Sequence, residues 1–182
     1  MKKTNCPKLK NEDFLKDLKI NNKHKYSDKL IICHQNILSI NKKRDKLSII
    51  MQLSLIRPHL IRLSEHHLRE QEIKKNLSLN NYRLASSFCR EGFSEVGVCI
   101  MTRKDINFNT VNLNEFCSAK TFEACASKVN TNMIKIIVCC IYRSPSRNVD
   151  QFFKLLEETK KAYIILASHF CFVVISIYTF LQ

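Results

Sequence analysis

At 182 residues the chain is long enough for one domain with a sizeable core and too short for two. Its 45% hydrophobic and 25% charged residues exclude a disordered or fibrous chain, and two glycines and three prolines leave its loops to Asn and Ser. A formal charge of +14, of which +8 falls in residues 1–46, favours polyanionic partners, nucleic acid first, because each neutralised phosphate releases condensed counterions.

Residues 1–28 are rich in Lys and Asn, hold one short helical candidate, EDFLKDLKI, and read as a basic lead-in. The opening MKKTNCPKLKNEDF carries no apolar run of the secretory kind. With nine cysteines, an odd number, and no CxxC pair, free thiols in a reducing compartment, cytoplasm or nucleus, are expected instead of a disulfide framework. Cys33, Cys99, Cys139 and Cys140 sit inside apolar runs, as small hydrophobes do, and structural zinc is not expected.

Order is predicted to start near Lys29. KLIICHQN reads as a short buried strand ending in Gln35 and Asn36. KKRDKLSIIMQLSLIR follows as a helix, with Leu47, Ile50, Met51 and Ile56 on one face and Pro58 stopping it. HLIRLSE is a second strand ending at Glu65, which completes a βαβ unit. After the helix-compatible EQEIKKNL, the runs YRLASSF, VGVCIMT, TFEACASKV and MIKIIVCCIY are too closely spaced for crossover helices and are expected to pair antiparallel. VDQFFKLLEETKKA has helical period with Asp150 as its N-cap, and YIILASHF returns to strand. Mixed sheets with helices outside them are the architecture this order predicts.

Function is then sought at the strand ends. Asn36, Glu65, Tyr142 and Arg143 each follow or close an apolar run, and neighbouring strands would bring them together. A carboxylate suits magnesium, an amide can hold a metal or a phosphate oxygen, and Arg clamps phosphate, so the set points to phosphodiester chemistry. SEHHLRE also offers Glu65, His66 and His67 as a zinc set. Adjacent strand residues point to opposite faces, so the two histidines do not ligate one metal, and Glu65 is the expected magnesium ligand.

CHQNILSINKKRDKL, LIRLSEHHL, YRLASSFCR, VGVCI, IYRSPS and FFKLLEE, in this order and at these intervals, resemble the endonuclease domain of non-LTR retrotransposons. That domain is part of the endonuclease/exonuclease/phosphatase superfamily, with the apurinic endonucleases and deoxyribonucleases. The resemblance covers residues 29–172 and leaves 173–182 as a hydrophobic tail outside it. It implies an α/β fold, a four-layer sandwich of two mixed β-sheets flanked by helices, here with its carboxyl-terminal part missing. It implies magnesium as cofactor, held by Glu65 and Asn36, and DNA, bound non-specifically, as partner. Tyr142 would hydrogen-bond the scissile phosphate with Arg143 beside it, Asn36 would contact metal or phosphate, and an activated water would nick the strand.

The same resemblance exposes departures. Where the family has Gly-Asp-Phe-Asn at the end of a strand, this chain has Ser168-His169-Phe170-Cys171, so His169 and Cys171 replace the aspartate and asparagine. Leu38 replaces an arginine, and Val96-Gly97 replaces paired glycines. The family's Ser-Asp-His element with the general base lies beyond Gln182. Losing one preorganised donor costs about 10² to 10³ in rate, so impaired catalysis is expected. Two alternatives remain open. From Tyr163 to Gln182 there is no Asp, Glu, Lys or Arg, and a helix of that length would span about 30 Å, which would make a tail-anchored basic membrane protein. The other is a nucleic-acid-binding remnant without catalysis.

Overall fold

The computed structural model describes residues 30–43, 45, 47, 57–77, 79–91, 96–130, 135–144, 148–166 and 171–177. The basic lead-in with its helical candidate lies outside them, as do Ile50, Met51 and Ile56 of the helical face proposed before Pro58. Residues 40–43, 45 and 47 are helical, and Ile40 and Leu47 are buried.

The strands form two four-stranded sheets. In the first, β1 (Ile32–Asn36), β2 (Leu60–Ser64), β3 (Tyr82–Phe88) and β4 (Val98–Arg103) lie in the order β1-β2-β4-β3, with α1 (Glu70–Asn76) between β2 and β3. In the second, β5 (Asn107–Val111), β6 (Glu123–Asn130), β7 (Lys135–Tyr142) and β8 (Cys171–Ile177) lie in sequence order, with α2 (Val149–Leu166) between β7 and β8. Each sheet is mixed in the same way. The pairs β1–β2 and β7–β8, whose connections pass through helix, are parallel, and the remaining pairs are antiparallel. The expected antiparallel pairing of the four middle runs is what the structure has.

Alternation along the strands builds four layers from two sheets. In β7, Ile136, Val138, Cys140 and Tyr142 enter a core shared with Leu60, Val98 and Ile100 of the facing sheet. The intervening Ile137, Cys139 and Ile141 pack with Phe152 and Leu156 of α2. On the other side Ile61, Leu63, Cys99 and Met101 pack with Ile37, Ile40, Leu47 and Ile73. All five residues of β2 are buried, Arg62 and Ser64 included, because this inner strand is covered on both faces. The four-layer α/β sandwich with two mixed sheets is therefore the observed architecture.

α2 starts differently from the sequence expectation. The Asn148 side-chain oxygen accepts from the Asp150 and Gln151 amides at 2.9 and 3.2 Å, so Asn148 is the cap and Asp150 is already inside the helix. Phe152, Leu156 and Thr159 form its buried stripe, and Phe152 meets Phe122 with ring centroids 5.5 Å apart.

The last strand is also displaced. YIILASHF was read as strand, yet α2 runs on through Leu166 and the strand is Cys171–Ile177, paired in parallel with β7 from Ile136↔Cys171 to Tyr142↔Ile177. No Gly or Pro interrupts the helix before Leu166, and CFVVISI holds the β-branched run that a sheet favours. Residues 173–177, set outside the domain on sequence grounds, thus lie within the second sheet. The tail-anchor alternative requires one helix over 163–182, and the strand breaks that span. Among the described residues no helix is long and apolar enough to cross a membrane.

Candidate active site

The ends of β1, β2 and β7 meet at one rim. Beyond Asn36 and Ser64 the chain keeps its parallel course: Ile37 N donates to Ser64 O at 3.0 Å, Ser39 N to Glu65 O at 2.8 Å and Ile40 N to His66 O at 3.0 Å. Asn36 and Glu65 therefore stand on adjacent strand ends. The Asn36 side-chain oxygen accepts from Leu38 N at 3.3 Å, which fixes the turn behind it. From the other side Gly97 anchors Glu65, whose N donates to Gly97 O at 2.8 Å.

This rim holds its residues in unusual backbone conformations. Of seven non-glycine residues with positive φ among those described, Leu38, Ser39, Glu65, His67 and Val96 lie here. A β-branched residue such as Val96 at φ 79° is strained, at a position where the resemblance has glycine. Gly97 follows at φ 106°, and a Cβ there would come within 2.5 Å of the His66 ring, so no other residue fits.

Tyr142 closes the site from the second sheet. Its phenol lies close to the Glu65 carboxylate, where β7 meets the end of β2. Burial first, then the neighbouring Glu65 carboxylate and then Glu123 push the phenol up to about 12. Tyr142 is thus a proton-bearing donor at neutral pH. Arg143, the next residue, is half-buried where β7 ends.

Two residues of this network were not foreseen from the sequence. Glu123 lies directly opposite Tyr142 in the β6–β7 ladder, is wholly buried, and accepts from Arg90 Nε at 2.6 Å and from Lys120 N at 2.9 Å. Arg90, itself buried, enters from the turn after β3 and forms an ion pair with the same oxygen. A lone carboxylate within the apolar TFEACASKV was the available signal, since buried charges are paired. Beside Arg90 opens a cavity of about 500 Å³ whose lining includes Phe88, Asn114 and Lys120.

The two histidines after Glu65 part company. His66 is buried: its Nδ1 accepts from Leu68 N at 3.0 Å and its Nε2 lies 3.3 Å from Phe88 O, which sets a neutral, Nε2-protonated ring. Burial pulls its pKa down to about 4. It is a structural pin, and His67 is half-buried beside it.

Of the two expected replacements for the aspartate and asparagine, Cys171 is not brought to this rim. Cys171 opens β8 opposite Ile136, about 20 Å along the strand from the Tyr142 end. His169 lies outside the described residues. The β8 residue beside Tyr142 is Ile177, and the sequence that follows it is Tyr-Thr-Phe-Leu-Gln, with no carboxylate, asparagine or histidine.

Among the described residues no three His, Cys, Asp or Glu side chains gather to hold a metal. Glu65 with the Asn36 amide nearby is a minimal set of hard oxygen ligands, and that fits magnesium, which is bound through one or two carboxylates and keeps several waters.

The chain matches no protein-family model and no curated protein in sequence. Its fold does match solved structures. The endonuclease domain of TRAS1, a telomere-specific non-LTR retrotransposon, superposes with a TM-score of 0.54 at 11% identity over 72% of this chain and 54% of that one. The AP endonuclease LMAP from Leishmania major gives 0.54 at 12% identity over 79% and 49%. The 3' phosphatase NExo from Neisseria, solved with a product DNA hairpin, gives 0.53 at 18% identity over 75% and 53%. The chain spans about half the length of each. Two mixed sheets packed face to face between helices are the fold that this chain shares with these solved structures.

Proposed function

We propose that the rim is the site of a magnesium-dependent DNA endonuclease whose catalysis is impaired in this chain. The observation that carries this reading is the meeting of Glu65, at the end of β2, with Tyr142, at the end of β7, which unites strand ends of both sheets in one polar cluster. Glu65 and Asn36 are the residues that would hold the ion, which when bound supplies Lewis-acid polarisation of a phosphoryl oxygen and a more acidic water. Tyr142, kept protonated, donates to a phosphate oxygen, and Arg143 adds positive charge beside it. Buried Glu123, opposite Tyr142 and paired through one oxygen with Arg90, keeps the base of the site fixed. DNA is the substrate class because structures of this fold include a retrotransposon endonuclease and an enzyme bound to a DNA hairpin.

Support for impairment comes from the described residues of the rim. No described residue beside Tyr142 replaces the aspartate that orients the attacking water or supplies a general base. Such assistance is worth roughly 10² to 10⁴, and a missing phosphate donor costs about 10² to 10³ more, although the losses do not simply multiply. Supercoiled plasmid incubated with the full chain and magnesium should be nicked slowly at most, and the trace should vanish with Glu65→Ala or with chelator. Robust nicking that depends on Glu65 would overturn the impairment. Nicking indifferent to Glu65 and to chelation would overturn the site itself.

A further inference from the structure

Four successive amides fix the chain where it leaves β1. Those of Ile37, Ser39 and Ile40 donate to the carbonyls of Ser64, Glu65 and His66, and that of Leu38 donates to the Asn36 side chain. The apolar side chains of this stretch go opposite ways. Ile37 and Ile40 are 2% and 0% exposed and enter the core below, whereas Leu38 between them is 54% exposed. Among the described residues it is the most exposed large hydrophobic.

Two costs meet at Leu38. It has φ 46° and Ser39 after it has φ 80°, a left-handed backbone that is uncommon for a bulky side chain and that Gly or Asn adopts more readily. An isobutyl group left in water also gains little from folding. A single exposed leucine on a loose loop would need no explanation. This one is held from behind by hydrogen bonds on both sides, two residues from Asn36 and against the strand end that bears Glu65. Backbone strain of this kind gathers where a ligand is gripped.

We propose that Leu38 is an apolar wedge for duplex DNA, a further DNA-contacting residue that enters between neighbouring base pairs at the rim and unstacks them. The inference rests on the reading of the rim as a DNA site. Leucine is among the side chains that proteins insert into base steps, and the energy of unstacking is recovered as the kinked duplex lies against more protein surface. Such insertion needs a side chain that is apolar, projects into solvent and cannot fold back. Leu38 projects, and the tied amides of Ile37, Leu38, Ser39 and Ile40 keep its backbone from yielding. An arginine, which the resemblance has at this position, would reach for phosphate and carry no information about the bases. Leucine offers nothing to a phosphate and has only the bases to contact. The wedge therefore favours steps that open easily, a preference that the net charge of +14 cannot give.

The test needs no cleavage. The full chain is titrated at low salt into a short, fully paired duplex carrying 2-aminopurine at several steps, and into the same duplex with one mismatched pair. Anisotropy reads binding, and 2-aminopurine emission reads unstacking. The unmutated chain should brighten the paired duplex and bind the mismatched one about tenfold more tightly, because its stack is already loosened. Leu38→Met should keep both signals. Leu38→Asn, which suits the left-handed backbone, should raise the urea midpoint and lose both signals, so unfolding is not the cause of the loss. Equal affinity for the two duplexes with unchanged emission would overturn the wedge and leave DNA binding standing, and so would persistence of both signals in Leu38→Asn. Absence of binding to either duplex would overturn the DNA reading of the rim, and this inference with it.

Discussion

His66 shows how one residue at the rim ties folding to pH. Its pKa falls from an ordinary 6.5 to about 4 because burial disfavours the charged ring. The folded state therefore binds the proton less readily than the unfolded chain does. The stabilisation is complete above the unfolded value and is lost as pH falls from 6.5 towards 4. Lowering the pH from about 7 to about 4.5 should remove about 2.5 kcal/mol through this group alone. Urea unfolding at the two pH values, compared with the same pair in His66→Gln, checks it: the variant should lose about that much less. The motif SEHHL made Glu65 legible as a residue of the rim, because a carboxylate after an apolar run is a simple pattern. It could not show that His66 turns inward, since that depends on the left-handed turns at Glu65 and His67 and on the space left by Gly97.

Between elements the firmest polar tie is Arg90 to Glu123, which fastens the end of β3 to the start of β6. Removing one partner of a buried pair leaves an uncompensated charge and typically costs about 3–5 kcal/mol. Arg90→Ala and Glu123→Ala should each lower stability by about that much, and Arg90→Met with Glu123→Leu should cost less than either, measured as denaturation midpoints. A cost under about 1 kcal/mol for each single change would show a solvent-screened pair. Most strands were legible because alternation and apolar runs report burial directly. β5 was not, since NFNTV is mostly exposed and carries little apolar pattern. The position of β8 was missed because Tyr163–Leu166 suits helix and strand alike, and only pairing with β7 decides between them. Glu123 and Arg90 escaped for a related reason: their meaning lies in contact across more than thirty residues of chain.

At the scale of the whole molecule, the sandwich provides a rim, and the positive charge is what would draw a polyanion such as DNA to it. More than half of the +14 lies in residues 1–46, most of them before the first strand. Binding to duplex DNA should be non-specific and weaken by about tenfold or more between about 50 and 200 mM salt, read by fluorescence anisotropy. A flat salt response would remove charge as the basis of binding. This measurement is independent of catalysis, so it separates a domain that holds DNA from one that cuts it.

The left-handed residues at the rim have a consequence for how the molecule opens. A chain with two glycines has given these conformations to Leu38, Ser39, Glu65, His67 and Val96, each at an intrinsic cost of order 1–3 kcal/mol. That cost is released as soon as the rim lets go, whereas the layers behind it gain nothing by parting. Among the described residues the candidate site therefore holds most of the backbone strain, and the packed sheets beneath are what hold that geometry closed.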